Sequence, residues 1–138
     1  MNRVPAEIIN IETADAISLV DLVAFGDTFS CVLIETPETA PYLRIGNRVS
    51  LVFKETEIAI AKNFSGQISL RNRFAATIRA IENGVVLSKI TMDFHGISII
   101  SIITARSAAT LNLQPGDAVT GLVKANEIAI FADDGGAI

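Results

Sequence analysis

Three short polar stretches in the second half of this 138-residue chain hold side chains suited to gripping a small anion. Ser69 and Arg71 stand two apart, just ahead of an apolar run. Thr104 and Ser107 stand three apart where another run ends, and Lys124-Ala125-Asn126 forms the turn between the last two runs. Arginine presents a planar fork of N–H donors and lysine a point charge. Thr104 and Ser107, three apart at a helix start, can turn their hydroxyls to one side. The first turn of such a helix would add backbone N–H groups and a favourable dipole. The set suits a tetrahedral dianion, whose four oxygens need donors from several directions. The same residues read equally well as a helix N-cap and two solvated cations.

Catalytic chemistry finds little support. The single histidine, His95, falls in a hairpin turn between Phe94 and Gly96, where a solvated surface residue is expected. The sequence holds no Ser-x-x-Lys, Gly-x-Ser-x-Gly or His-Glu-x-x-His arrangement and no Gly-rich phosphate loop. Cys31, the one cysteine, lies in an apolar strand and reads as a small buried hydrophobe. It excludes an internal disulfide and a cysteine metal cluster. Glu57 and Glu127 open equivalent strands, which points to a structural role rather than an acid–base pair. The chain is therefore expected not to be an enzyme, and no metal is expected to be ligated directly.

The net charge of −4 argues against a nucleic-acid partner, which requires a basic face. Half the residues are apolar, enough for a packed core. No apolar run reaches the roughly 18 residues of a membrane helix, and the N-terminus lacks signal-peptide form. A cytoplasmic protein with no membrane partner is expected.

The elements that must position the polar turns repeat. A shift of 70 residues aligns the two halves without a gap: Arg3 with Arg73, Ile8 with Ile78, Gly26 with Gly96, Gly46 with Gly116, Lys54 with Lys124, and Glu57-Ile58-Ala59-Ile60 with Glu127-Ile128-Ala129-Ile130. The repeat predicts two lobes, 1–65 and 66–138. Strands are expected at 4–12, 17–25, 28–35, 49–54 and 57–62, then at 75–82, 86–94, 97–104, 118–124 and 127–131. Gly26-Asp27 signals a hairpin turn. A short helix is expected in each lobe, one capped by Thr36 with Pro37 at its first position and one over 107–111. Regularly spaced short strands with one helix between the third and fourth predict an all-β fold of two tandem five-stranded OB-like barrels. A lobe of this size is marginal alone, so the two should pack together. The 133–136 tail is expected to fray.

At this point the sequence resembles a known family. Ile68-Ser69-Leu70-Arg71-Asn72, Ile103-Thr104-Ala105-Arg106-Ser107, the run from Leu111 through Gln114-Pro115-Gly116 to Val119, and Val123-Lys124-Ala125-Asn126 are similar to the successive signatures of the molybdenum-pterin-binding-like, or TOBE, domain. The first half joins through the repeat, so the whole chain resembles a tandem, molbindin-type protein. The resemblance implies binding of molybdate or tungstate without catalysis, for storage or homeostasis. It implies oxyanion ligands at Ser69, Arg71, Thr104, Ser107, Lys124 and Asn126, the last standing where the family has Ser. It also implies a homo-oligomer, a trimer, with sites between subunits, so that Ser69–Arg71 and Thr104–Lys124 of different chains can face one anion.

The first lobe departs from the pattern. Ile34 and Pro37 align with Thr104 and Ser107, nothing precedes Asn2 to match Ser69 and Arg71, and Glu55 adds a charge hostile to a dianion. Its site is expected to be degenerate. Two rivals stand beside the storage reading: the regulatory C-terminal part of a molybdate transport ATPase or molybdate-responsive repressor, and a structural pairing module with decayed sites. No P-loop or helix-turn-helix precedes the first lobe, which favours a stand-alone protein over the first rival.

Overall fold

Alternation of apolar and polar residues builds ten strands in the computed structural model, which describes residues 1–132. The first half supplies β1 (Asn2–Ala14), β2 (Ile17–Ala24), β3 (Asp27–Leu33), β4 (Arg48–Phe53) and β5 (Ala59–Ala61). The second supplies β6 (Asn72–Asn83), β7 (Leu87–Phe94), β8 (Ile97–Thr104), helix α1 (Ala105–Thr110), β9 (Ala118–Val123) and β10 (Ala129–Ala132). In β1, Val4, Ala6 and Ile8 point inward while their neighbours face out; Phe74, Ala76 and Ile78 repeat this in β6. The equivalence extends to irregularities: a register shift falls between Ile8 and Asn10 and again between Ile78 and Ala80. The tail expected to fray lies outside the described residues.

The strands form two five-stranded antiparallel sheets, in the orders β10-β4-β1-β2-β3 and β5-β9-β6-β7-β8. The fifth strands are exchanged. β10, from the end of the chain, pairs with β4 through Ile130 opposite Leu51, and β5 pairs with β9 through Ile60 opposite Gly121. Each sheet is thus completed by the other half. Each also curls so that its open edge meets the segment before its fifth strand: Cys31 Sγ on β3 donates to the Ile128 carbonyl at 2.9 Å, and Ser101 Oγ on β8 to that of Ile58 at 2.7 Å.

Two asparagines lock the free edges. Asn72 accepts from the Ser30 N–H at 2.7 Å and donates to the Ser30 carbonyl at 2.9 Å and the Val123 carbonyl at 3.1 Å. Asn2 does the same for Ile100, accepting its N–H at 2.8 Å and donating to its carbonyl at 2.7 Å. Each amide mimics one residue of a missing strand. Between the sheets, Phe29 of the first half stacks on Phe74 of the second with centroids 4.7 Å apart, Phe53 packs against Phe74 tilted at 5.2 Å, and Phe94 meets Phe74 edge-on at 5.1 Å. One core serves both halves.

Two expectations are corrected. The first half has no helix. The Thr36 carbonyl accepts from Thr39 N–H at 3.0 Å and Ala40 N–H at 2.8 Å, a single turn. Pro41 then offers no N–H and disfavours a helical Ala40, so the turn cannot propagate. In the second half, Ala105–Thr110 contains no proline, and its helix forms two residues earlier than expected. The first hairpin turns at Phe25-Gly26, not Gly26-Asp27, because both residues take positive φ, 52° and 83°, as a two-residue turn of this hand requires. His95-Gly96 does likewise at 50° and 86°, which sets the exposed His95 ring on Phe25 at 4.9 Å.

Candidate functional site

The β6–β9 ladder sets the first cluster. Asn72 pairs with Val123, so Arg71, just before β6, and Lys124, just after β9, end side by side. Ser69 lies two residues upstream. Lys124 opens a 3₁₀ turn over Ala125–Glu127 that is closed by a 3.0 Å bond from Glu127 N–H to the Lys124 carbonyl, with Asn126 at its centre. Ser69, Arg71, Lys124 and Asn126 are all exposed, while the Asn72 clasp anchors the base of the group to β3 of the other half. Among the described residues neither Arg71 nor Lys124 is engaged in an ion pair, so both cations are available to a ligand. The neighbouring Arg73 is occupied, its guanidinium 5.7 Å from the centre of the Phe64 ring.

Thr104 and Ser107 stand elsewhere. Thr104 ends β8 opposite Leu87, and Ser88 pairs with Asn83 at the far end of β6. The 12 residues of β6 therefore separate this pair from the Arg71–Lys124 cluster, roughly 35 Å if the strand were straight. Thr104 caps α1, accepting the Ser107 N–H at 3.0 Å and donating to Ser107 Oγ at 2.8 Å. The hydroxyls do share one side, as the spacing predicts. The Ser107 amide is already used, however, so this six-residue helix presents fewer free N–H groups than the sequence suggests. The Ser107 hydroxyl hydrogen remains to be donated outward.

Two residues before Thr104, β8 meets the first half's turn, where Ile102 N–H donates to the Glu55 carbonyl at 2.9 Å. Glu55 in turn lies 3.7 Å from the Met1 amine. The aligned positions in the first half are an exposed Ile34 and Pro37, which offer no hydroxyl. Cys31 is fully buried and its thiol is pushed up to about 12 by that burial, in keeping with a packing role. No group of three His, Cys, Asp or Glu side chains is placed to hold a metal ion among the described residues. The residue whose role was least visible in sequence is Asn72. Its signal was the repeated Asn2-Arg3 and Asn72-Arg73, which marks a shared structural task.

Comparison with known proteins bears on the fold and the family. Residues 68–130 match the TOBE domain. The chain is 31% identical over 107 residues to the molybdenum-pterin-binding protein MopA of Rhodobacter capsulatus, covering 76% of this chain and 40% of MopA. It is 35% identical over 78 residues to the molybdenum import ATP-binding protein ModC of Brucella abortus, covering 56% of this chain and 22% of ModC. The chain thus spans well under half the length of these relatives. The fold superposes on the crystal structure of the cytoplasmic molybdate-binding protein ModG with molybdate bound, with a TM-score of 0.88 and 25% identity, covering 96% of each chain. Motifs, duplicated all-β architecture and full-length structural match agree: residues 68–130 match the TOBE domain, and the chain as a whole is similar to molbindin-type proteins.

Proposed function

We propose that this protein binds molybdate or tungstate as the intact oxyanion, without transforming it, and serves cytoplasmic storage or homeostasis. The observation that carries the reading is the gathering of Ser69, Arg71, Lys124 and Asn126, exposed and without an ion pair among the described residues, at one end of the β6–β9 ladder. The similarity over the whole chain to ModG, a protein crystallised with molybdate, supports it, as does the similarity to MopA. Binding replaces the anion's water with O–H and N–H donors while Arg71 and Lys124 balance its charge. Discrimination against sulfate comes from size, because molybdate is larger at equal charge.

The hydroxyl pair enters through a second copy. Thr104 and Ser107 stand at the opposite end of β6 from Arg71 and Lys124, so one chain cannot close the donor ring, whereas chains packed around an axis can. Exposed Val85, Val86 and Leu87 adjoin Thr104, through the Leu87–Thr104 pairing and a 2.8 Å bond from Ala105 N–H to the Val86 carbonyl, and supply apolar surface for that contact. A trimer is the proposed assembly. In calorimetry with molybdate, tungstate and sulfate, Arg71→Ala and Lys124→Ala should each weaken binding by about 1.5–3 kcal/mol, the scale of a charged hydrogen bond. Wild-type affinity in both variants overturns the site, and absence of any heat with either metal oxyanion overturns the function.

A further inference from the structure

The asparagine clasp is made twice, but the two copies differ. Asn2 and Asn72 are equivalent in the repeat, and both are buried. Each accepts the N–H and donates to the carbonyl of one residue on the opposite sheet's free edge, Ile100 for Asn2 and Ser30 for Asn72. Asn72 makes one bond more, from its second amide hydrogen to the Val123 carbonyl at 3.1 Å. Among the described residues Asn2 makes no such bond to Phe53, its own ladder partner. The extra bond sits where the cationic residues part company. Asn72 and Val123 are the last pair of the β6–β9 ladder. Beyond them Arg71 belongs to no strand or helix, and Lys124 leads into the 3₁₀ turn, so no ladder bond holds one backbone against the other. Behind Arg71 there is only a long bond, 3.4 Å, from Arg73 Nε to the Leu70 carbonyl. Asn72 therefore ties the residue after Arg71 to the residue before Lys124, and both to the first half. With both amide hydrogens used, it has none to give an anion. The half whose hydroxyl pair is replaced by Ile34 and Pro37 lacks the extra bond, and the half that keeps the donors has it.

We infer that Asn72 is a positioning residue for the oxyanion: its bond to Val123 sets the spacing of Arg71 and Lys124, and with it the affinity and the choice of anion. The inference rests on the proposed site at those two cations. Arginine and lysine reach a ligand through long flexible stems, so the cage they form is only as fixed as the backbone at their roots. Held roots make anion size discriminating. Roots free to move let the donors close on a smaller sulfate as well as on molybdate. Linkage is reciprocal: if the clasped state binds the anion better, the bound anion stabilises the clasp by the same factor.

The test is calorimetric titration of the intact protein with molybdate, and with sulfate by competition, in the wild type, Asn72→Ala and Asn2→Ala, using samples whose circular dichroism and sedimentation match the wild type. Asn72→Ala should weaken molybdate binding about 5-fold or more, the scale of one net hydrogen bond, and narrow the ratio of molybdate to sulfate affinity. Asn2→Ala breaks the equivalent clasp but should leave both affinities at the wild-type value. Thr104 there stays held through the bonds of Ser101 and Ile102 to the first half's turn. Unchanged affinity and ratio in Asn72→Ala overturn the positioning role and leave the oxyanion site standing. Equal losses in the two variants overturn it too, because general loosening then accounts for both. Absence of molybdate binding by the wild type overturns the site itself. Side-chain amide hydrogen exchange, followed by NMR in the wild type, decides the question even where Asn72→Ala does not fold. Saturating molybdate should slow exchange of the Asn72 amide hydrogens and leave those of Asn2 unchanged; an Asn72 rate unmoved by bound molybdate sinks the proposal.

Discussion

Replacing Asn72 by alanine should be among the costlier single changes available in this chain. The side chain is fully buried and makes three hydrogen bonds, two to Ser30 and one to Val123, joining the free edge of the first sheet to the second. A neutral hydrogen bond contributes about 1 kcal/mol net, and a buried partner left unpaired costs about 1–3 kcal/mol. Ser30 is only partly buried, so water can replace some of the loss there. The sum for Asn72→Ala comes to about 3–4 kcal/mol, a large share of the roughly 5–15 kcal/mol of an ordinary domain. Asn2→Ala, which removes two bonds to Ile100, should cost about 2 kcal/mol. Ser30→Ala should cost less than Asn72→Ala, because Asn72 engages the Ser30 backbone and only the bond from Ser30 Oγ to Asp21 Oδ1 at 2.7 Å is lost. Urea unfolding of the three variants, compared at constant m-value, measures the series. A loss below about 1 kcal/mol for Asn72→Ala would refute the clasp argument, as would Asn2→Ala matching or exceeding it.

Other expectations follow from packing, charge and connectivity. A Cβ added at Gly121 would fall 2.6 Å from Ile58 Cδ1 and 3.6 Å from Phe74 Cβ. Gly121→Ala should therefore destabilise by about 1–2 kcal/mol in urea melts, with Ile58→Val in the same chain restoring most of it. Asp117 receives Lys62 Nζ and the Gln114 N–H, each at 2.9 Å, and the Lys62 contact foremost holds its carboxyl below the usual aspartate range. A depressed carboxylate stabilises the fold above its unfolded pKa and loses that contribution as pH falls through its folded value. Thermal melts across the acid range should thus show part of the acid loss disappearing in Lys62→Met. Residues 1–65 expressed alone lack the β10 partner of β4 and leave their own β5 without β9. They should not fold as a monomer, and mixing with 66–138 should restore strand circular dichroism; a folded 1–65 monomer would show that the exchange is dispensable.

Most strand positions were legible because they rest on short-range rules. Period-two alternation marked β1 and β6, and the 70-residue repeat carried each assignment from one half to the other. The failed helix at Thr36 was also a local matter, since Pro41 was in plain view and outweighed the Thr36-Pro37 start signal. The candidate ligands were legible as residue types, but their grouping was not. Which of them are neighbours depends on the antiparallel register, which joins Arg71 to Lys124 and sends Thr104 to the other end of β6.

By itself the sequence determined an all-β duplicated chain, its strands, its buried alternation and a set of oxyanion-type donors. Only the tertiary structure decided where the fifth strands go. Glu57-Ile58-Ala59-Ile60 and Glu127-Ile128-Ala129-Ile130 are identical, so no local preference distinguishes pairing at home from pairing with the other half. That choice was made by long-range terms: the direction in which the turns after Lys54 and Lys124 leave the sheet, and the phenylalanine core that binds the halves into one body.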